Sequence, residues 1–186
     1  MLTHRYDDAL AYASRLHRSQ TRKASGIPYI SHLISVSAFV LDYGGDEDQA
    51  IAGLLHDAVE DQGGLATADT IAARYGTRVR QIVLDCSDSD GDEKAPWQIR
   101  KDAYLSGIAT KSDDATLVTA CDKLHNATTI LMDLKDIGPE VFERFTAKRD
   151  GTLWYYDELA KALAVRLPGP LTDRLSDTVA QIKAVA

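Results

Sequence analysis

The chain has little of what would staple a small secreted scaffold or carry it into a membrane. Two cysteines, Cys86 and Cys121, occur in 186 residues. They form no ligand spacing and no disulfide framework, and both are expected as small core residues. No apolar run approaches the ~20 residues that a membrane span needs. The N-terminal stretch MLTHRYDDALAYASRL lacks the apolar core and small-residue cleavage site of a signal peptide, so a cytoplasmic location is expected. A basic surplus is also missing: 28 Asp and Glu against 21 Lys and Arg leave a net charge of −7. Nucleic-acid binding rests on neutralising phosphates with a basic surface, so that class is disfavoured. A small anionic substrate remains open if local cations or a metal offset the charge. Sustained strand-like alternation is lacking as well.

What is present is helical periodicity, with 45% hydrophobic residues to bury. The length suits one unit, so residues 1–186 are expected to form a single all-α domain of about eight to ten helices. The pattern predicts a first helix over Tyr6 to Gln20, buried along Ala9, Leu10, Ala13 and Leu16. A loop over Lys23 to Ile30 follows, set by Gly26 and Pro28. A second helix runs from Ser31 to a stop at Gly44-Gly45, and a third from Asp46 to Asp61, ending at Gly63-Gly64. Shorter helices are expected at Ala68 to Tyr75 and Thr77 to Asp85. The acidic, turn-rich SDSDGDEKAP reads as a surface loop. Pro96 opens a helix through Ala109. Ser112 caps a long one, Asp113 to Leu134, closed by Gly138-Pro139. Helices at Thr152 to Leu167 and Leu171 to Val185 flank PGP. No internal repeat is present.

Within this pattern, GLLHDAVEDQ is the stretch that needs a reason. His56, Asp57, Glu60 and Asp61 recur at three- and four-residue spacings and border one groove of the expected helix. Carboxylates so placed repel one another and resist desolvation unless something cationic compensates, and a bound metal ion is the simplest compensator. The bland alternative is a solvated C-terminal turn. Two further residues bear on the choice: His32 opens the second helix, and Asp122 lies inside the apolar LVTACDKL. Alone, each would be a hydrogen-bonded core residue.

His32, the His56-Asp57 doublet and Asp122, in that order, resemble the H…HD…D signature of the HD-domain phosphohydrolase superfamily. HRSQTRKASGIPYISH, AGLLHDAVED and CDKLHNATTI further resemble, in order and spacing, the motifs of RelA/SpoT-type alarmone hydrolases, in particular the small stand-alone ones. The likeness spans Leu10 to Leu134, with an echo at TLWYYDELAKAL. It implies a compact helical HD-domain fold and manganese-dependent removal of the 3′-pyrophosphate of ppGpp and pppGpp, giving GDP or GTP and pyrophosphate.

The resemblance also implies roles. His32, His56, Asp57 and Asp122 are the implied ligands, a nitrogen and oxygen set suited to six-coordinate Mn²⁺ with positions left for water and a phosphate oxygen. Glu60 and Asp61 match the family's E-D pair that handles water and protons. Arg22 and Lys23 match its R-K pair, an arginine plane to stack on the base and a lysine as a point charge. Lys123 and Asn126 follow Asp122 on its helix, Asn126 matching the asparagine expected to meet the nucleotide. Tyr155 is a candidate for the ribose or else a core residue. The sequence departs from similar proteins at Thr119, where a lysine is common, and at Leu33, where a proline is. Neither removes a ligand, though the first bears on how the phosphates are handled. Other readings stay open: adenosine alarmones of the ppApp type, another phosphorylated nucleotide or cofactor such as NADPH, and a nucleotide-binding sensor without turnover. A small nucleotide is the expected partner, with no nucleic acid and no membrane.

Overall fold

The structure, a computed structural model, describes residues 1–23, 25–87 and 95–186. The surface loop expected at SDSDGDEKAP falls largely on residues 88–94, outside the described residues. The described residues are all-α, with one isolated bridge between Thr21 and Pro28. No helix among them is long and apolar enough to cross a membrane.

The helices are α1 (His4–Leu16), α2 (Ile30–Asp42), α3 (Glu47–Leu55), α4 (Ala58–Asp61), α5 (Gly64–Tyr75), α6 (Thr77–Cys86), α7 (Trp97–Ile108), α8 (Asp113–Ile137), α9 (Lys148–Arg166) and α10 (Pro170–Val185), with a 3₁₀ helix at Gly138–Arg144. The chain divides into two compact units. One comprises Met1–Asp90 with Ser112–Asp122, the other Gly91–Lys111 with Lys123–Ala186.

In the first unit, α3 packs on α1, α2 and α6, and α5 packs on α4 and α6. Local chemistry fixes the ends. Thr3 caps α1 by accepting the Arg5 amide at 3.2 Å. Asp46 and Gln49 form a reciprocal capping box at the start of α3. Ser112 accepts the Ala115 amide at 3.3 Å, as expected of the α8 cap. The core comprises Leu33, Val36 and Val40 of α2, Ile51, Leu54 and Leu55 of α3, and Ile71, Val79 and Val83 beyond them. In the second unit, α9 packs on α7, α10 and the 3₁₀ helix, burying Leu159, Leu163, Leu175 and Ile182.

Several boundaries differ from expectation. The first helix ends at Leu16 rather than Gln20, because residues 17–19 turn and carry His17 inward. The helix expected over Asp46 to Asp61 is broken at His56-Asp57 into α3 and α4. The His56 ring takes the Gly53 carbonyl, Nδ1 to O 2.9 Å, the acceptor that a continuous helix would give to the Asp57 amide. The break therefore coincides with the doublet. Helix α5 starts one turn early, at Gly64. Helix α8 runs on to Ile137, and the segment after Gly138 forms a 3₁₀ helix that no periodicity marked. Cys121 is buried as expected, whereas Cys86 is half-buried; both are free thiols.

Candidate metal centre and its surroundings

The site begins with a close approach of two helices. Ser37 of α2 faces Gly53 of α3, where an added Cβ would lie 3.0 Å from the Ser37 Cα. The Ser37 hydroxyl donates to the Ala50 carbonyl at 2.8 Å and meets the Tyr6 hydroxyl at 2.8 Å. This tight crossing lets His32, on the first turn of α2, and His56, just past α3, come together with ring centroids 5.2 Å apart. Both rings are buried, at 1% and 3% exposure.

Two imidazole nitrogens there meet two carboxylates. His56 Nε2 lies 3.0 Å from Asp57 Oδ2 and 3.7 Å from Asp122 Oδ1, while His32 Nε2 lies 3.2 Å from Asp122 Oδ1 and 3.7 Å from Asp57 Oδ2. Asp122, itself only 7% exposed, is delivered by α8 from the apolar face that the sequence left unexplained. Metal–ligand bonds of about 2.1 Å at right angles place neighbouring donor atoms about 3.0 Å apart. His32, His56 and Asp57 each offer one ligand atom within 4.8 Å of the others, a group that could hold one ion, and Asp122 Oδ1 stands beside both histidines.

The donor chemistry fits as well. With Nδ1 of His56 donating to the Gly53 carbonyl, Nε2 presents a lone pair to the cluster. That nitrogen is buried and makes no hydrogen bond. Lone pairs of an imidazole and two carboxylates, brought together out of water, need positive charge among them. Burial pulls both histidines toward the neutral form. For His32 that effect wins, and its pKa lies below the ordinary value. For His56 the charges of Asp57 and Asp122 outweigh burial, and its pKa lies well above the ordinary value. Burial would raise the Asp57 carboxyl, but the neighbouring His56 holds it below the usual range. The cluster therefore draws a cation to Nε2, either a proton or a metal.

Tyr29 closes one side. Its hydroxyl donates to Asp57 Oδ2 at 2.5 Å, and its ring meets the edge of His32 at 5.5 Å between centroids. Burial and the Asp57 charge both push the phenol pKa up, so it stays a donor.

An HD domain family matches residues 9–153, a span that contains all four donors. The chain belongs to the HD-domain family. Among relatives of this HD-domain chain, it is 36% identical over 136 residues to the guanosine-3′,5′-bis(diphosphate) 3′-pyrophosphohydrolase MESH1 of Xenopus tropicalis, covering 72% of this chain and 71% of that protein. To the protein of the same name from Drosophila melanogaster it is 34% identical over 125 residues, covering 66% and 67%. A solved structure of a metazoan ortholog of SpoT that hydrolyzes ppGpp superposes with a TM-score of 0.79 at 26% identity, covering 100% of this HD-domain chain and 99% of that one.

The other residues singled out by sequence are distributed as follows. Glu60 and Asp61, on α4, are exposed. Asp61 Oδ2 accepts from Gln20 Nε2 at 2.7 Å, so this carboxylate is turned toward the segment after α1. Arg22 is half-buried, its amide bonded to the Ile27 carbonyl at 2.8 Å, and Lys23 is exposed on the same loop. In the second unit, Lys123 and Asn126 are half-buried on α8, and the Lys123 ammonium sits 5.1 Å from the Tyr104 ring centre. Tyr155 is 7% exposed and packs in an aromatic cluster with Trp97, Tyr104 and Tyr156 of that unit. Of the two alternatives for this residue, the core environment is the one visible around its ring. Sequence reasoning gave no part to Tyr29, Gly53, His17 or Gln20. PYISH and HRSQ were signals for three of them, but nothing local shows what their side chains meet.

Proposed function

We propose that this chain hydrolyses the 3′-pyrophosphate of ppGpp and pppGpp with manganese, as one HD-type hydrolase domain. The observation that carries the reading is the buried, acceptor-rich cluster of His32, His56, Asp57 and Asp122, in a chain whose relatives are named for that reaction. The four side chains would hold Mn²⁺, a mixed imidazole and carboxylate set that suits this ion better than a thiolate site would. When bound, the ion supplies Lewis acidity, drawing charge off phosphoryl oxygens and making water easier to deprotonate.

The rest is the work of protein groups. Water adds to the phosphorus attached to the 3′-oxygen, the bond from that phosphorus to the 3′-oxygen breaks, and pyrophosphate departs. Glu60 and Asp61 take the proton from the attacking water and return one to the 3′-oxygen, so that GDP or GTP leaves with a free hydroxyl. Arg22 and Lys23 hold the base and phosphates; Lys123 and Asn126 are the further nucleotide contacts, while Tyr155 serves the aromatic core. A nucleotide sensor would need the binding groups but no acid–base pair.

Purified protein with Mn²⁺, incubated separately with ppGpp, ppApp and NADPH and resolved by ion-exchange chromatography, tests the reading. Release of pyrophosphate and GDP from ppGpp is expected. Faster turnover of either other substrate reassigns the specificity, and binding without turnover favours the sensor. Asp57→Ala should lose both bound manganese and activity, because three ligands leave the site short of charge and geometry. Undiminished stoichiometric manganese in that variant would sink the ligand assignment.

A further inference from the structure

The HRSQ segment that follows α1 has no part in the reaction proposed above, yet it is tied to the site by hydrogen bonds. His17 is only 2% exposed, and its Nδ1 lies 2.7 Å from Gln20 Oε1. Gln20 Nε2 donates to Asp61 Oδ2 at 2.7 Å, and Gln20 Oε1 also accepts from Gln62 Nε2 at 2.6 Å. A carboxylate only accepts, so the amide must present its nitrogen to Asp61 and its oxygen to His17 and Gln62. That oxygen in turn only accepts. Nδ1 of His17 must carry the proton.

The far nitrogen of this ring, Nε2, is buried with no hydrogen-bond partner. Leaving a polar atom so placed costs about 1–3 kcal/mol. A ring that merely filled space would avoid that cost as phenylalanine. The imidazole is explained by what its other nitrogen holds. The same ring stacks on Tyr29, centroids 5.5 Å apart and planes within 24°, and the Tyr29 hydroxyl bonds Asp57. One imidazole thus stands behind two carboxylates of the site, Asp61 through Gln20 and Asp57 through Tyr29.

We propose that His17 and Gln20 are positioning residues that fix the Asp61 carboxylate for proton transfer. The proposal rests on the role given to Asp61 in the proposed reaction. Asp61 is exposed at the end of a four-residue helix, where its side chain would otherwise sample several rotamers. An amide held from behind by an imidazole and a second amide orients it without neutralising it. Precise placement of an acid or base is worth much of its catalytic effect.

The first test needs no turnover. Long-range ¹⁵N–¹H correlation spectra of the wild-type chain report the His17 tautomer, and Nδ1–H is expected; an Nε2–H tautomer overturns the network. In the same spectra the Gln20 side-chain amide should shift in Asp61→Asn, and an unmoved resonance counts equally against it. The second test is kinetic, with Mn²⁺ and ppGpp. Gln20→Leu and His17→Phe should each lower kcat about tenfold or more, with KM and bound metal unchanged. His17→Asn, whose amide nitrogen stands where Nδ1 stood, should recover most of the loss. In an Asp61→Asn background Gln20→Leu should cost nothing further. Equal losses in both backgrounds would show that Gln20 does not act through Asp61 and would overturn the proposal. A wild-type chain inactive on ppGpp would instead count against the proposed reaction, while the spectra still decide the network.

Discussion

The Tyr29 hydroxyl reaches the candidate metal site without being one of its proposed ligands. It donates to Asp57 Oδ2 while its ring lies against His17 and His32, so the hydrogen bond and the packing are separable. Tyr29→Phe keeps the packing and removes the donor. Groups that orient metal ligands in this way contribute about 10–100-fold in metal affinity. The variant should therefore bind manganese about 10–100-fold more weakly, at nearly unchanged thermal stability, in a titration followed by calorimetry or electron paramagnetic resonance. Wild-type affinity would mean that Asp57 is held by the turn alone. A second residue-scale prediction concerns Asp8, which accepts from the Tyr75 hydroxyl at 2.7 Å and from Arg74 at 2.8 Å. The Tyr75 hydrogen bond and then Arg74 hold its carboxyl below the ordinary value of 3.8. A depressed carboxyl contributes stability above its unfolded pKa, and the contribution is lost as pH falls through the folded one. Asp8 is nearly half exposed, so the effect is small. Asp8→Asn should melt about 1 to 2 °C below wild type at pH 7, with the gap closing below about pH 4. A gap that stays constant with pH would assign the loss to something other than the charge.

At the scale of elements, the crossing of α2 and α3 at Ser37 and Gly53 sets the distance between the two histidines. Gly53→Ala adds a Cβ only 3.0 Å from backbone that cannot swing aside. Alanine gains about 1 kcal/mol in helix propensity over glycine, while overpacking of a filled site costs about 1–3 kcal/mol. Net destabilisation of up to about 2 kcal/mol is expected, a fall in Tm of a few degrees, together with weaker manganese binding because Gly53 also carries the carbonyl that orients His56. A raised Tm with unchanged metal affinity would show that the helices yield. The helices themselves were legible in the sequence because each carries its own period, cap or glycine stop, as with Ser112 at α8. The break between α3 and α4 was not, because AGLLHDAVED reads as one amphipathic run. Only the contest between a ring nitrogen and a backbone amide for the Gly53 carbonyl divides it. The proposed donors were legible by their order and type; His32, His56 and Asp57 offer atoms within 4.8 Å of one another, and Asp122 Oδ1 lies beside both histidines. The line from His17 through Gln20 to Asp61 was hidden, since its partners are distant in the chain and each looks like an ordinary polar residue where it stands.

At the scale of the whole molecule, the candidate centre ties together segments far apart in the chain. His32 comes from α2, the His56-Asp57 turn from between α3 and α4, and Asp122 from α8, all within the first compact unit. The same four side chains are a stability liability without a cation, since buried lone pairs and carboxylates face one another. Binding should therefore be visible in melting as well as in turnover. An ion that binds only the folded chain stabilises it by about 2.7 kcal/mol at a hundred times its Kd. For a chain of this length that corresponds to roughly 5–10 °C in Tm. Differential scanning calorimetry across a manganese series should show Tm rising with the logarithm of free metal above Kd. The slope should vanish in Asp57→Ala and in Asp122→Ala, which remove donors from different segments. It should persist in Glu60→Gln/Asp61→Asn, where the proposed acid–base pair is disabled and turnover is expected to fall about 10²-fold or more. That pattern would separate the groups that hold the ion from those that move protons. A metal-dependent Tm that survives Asp57→Ala and Asp122→Ala, or one lost in the Glu60→Gln/Asp61→Asn variant, would place the ion elsewhere on the molecule.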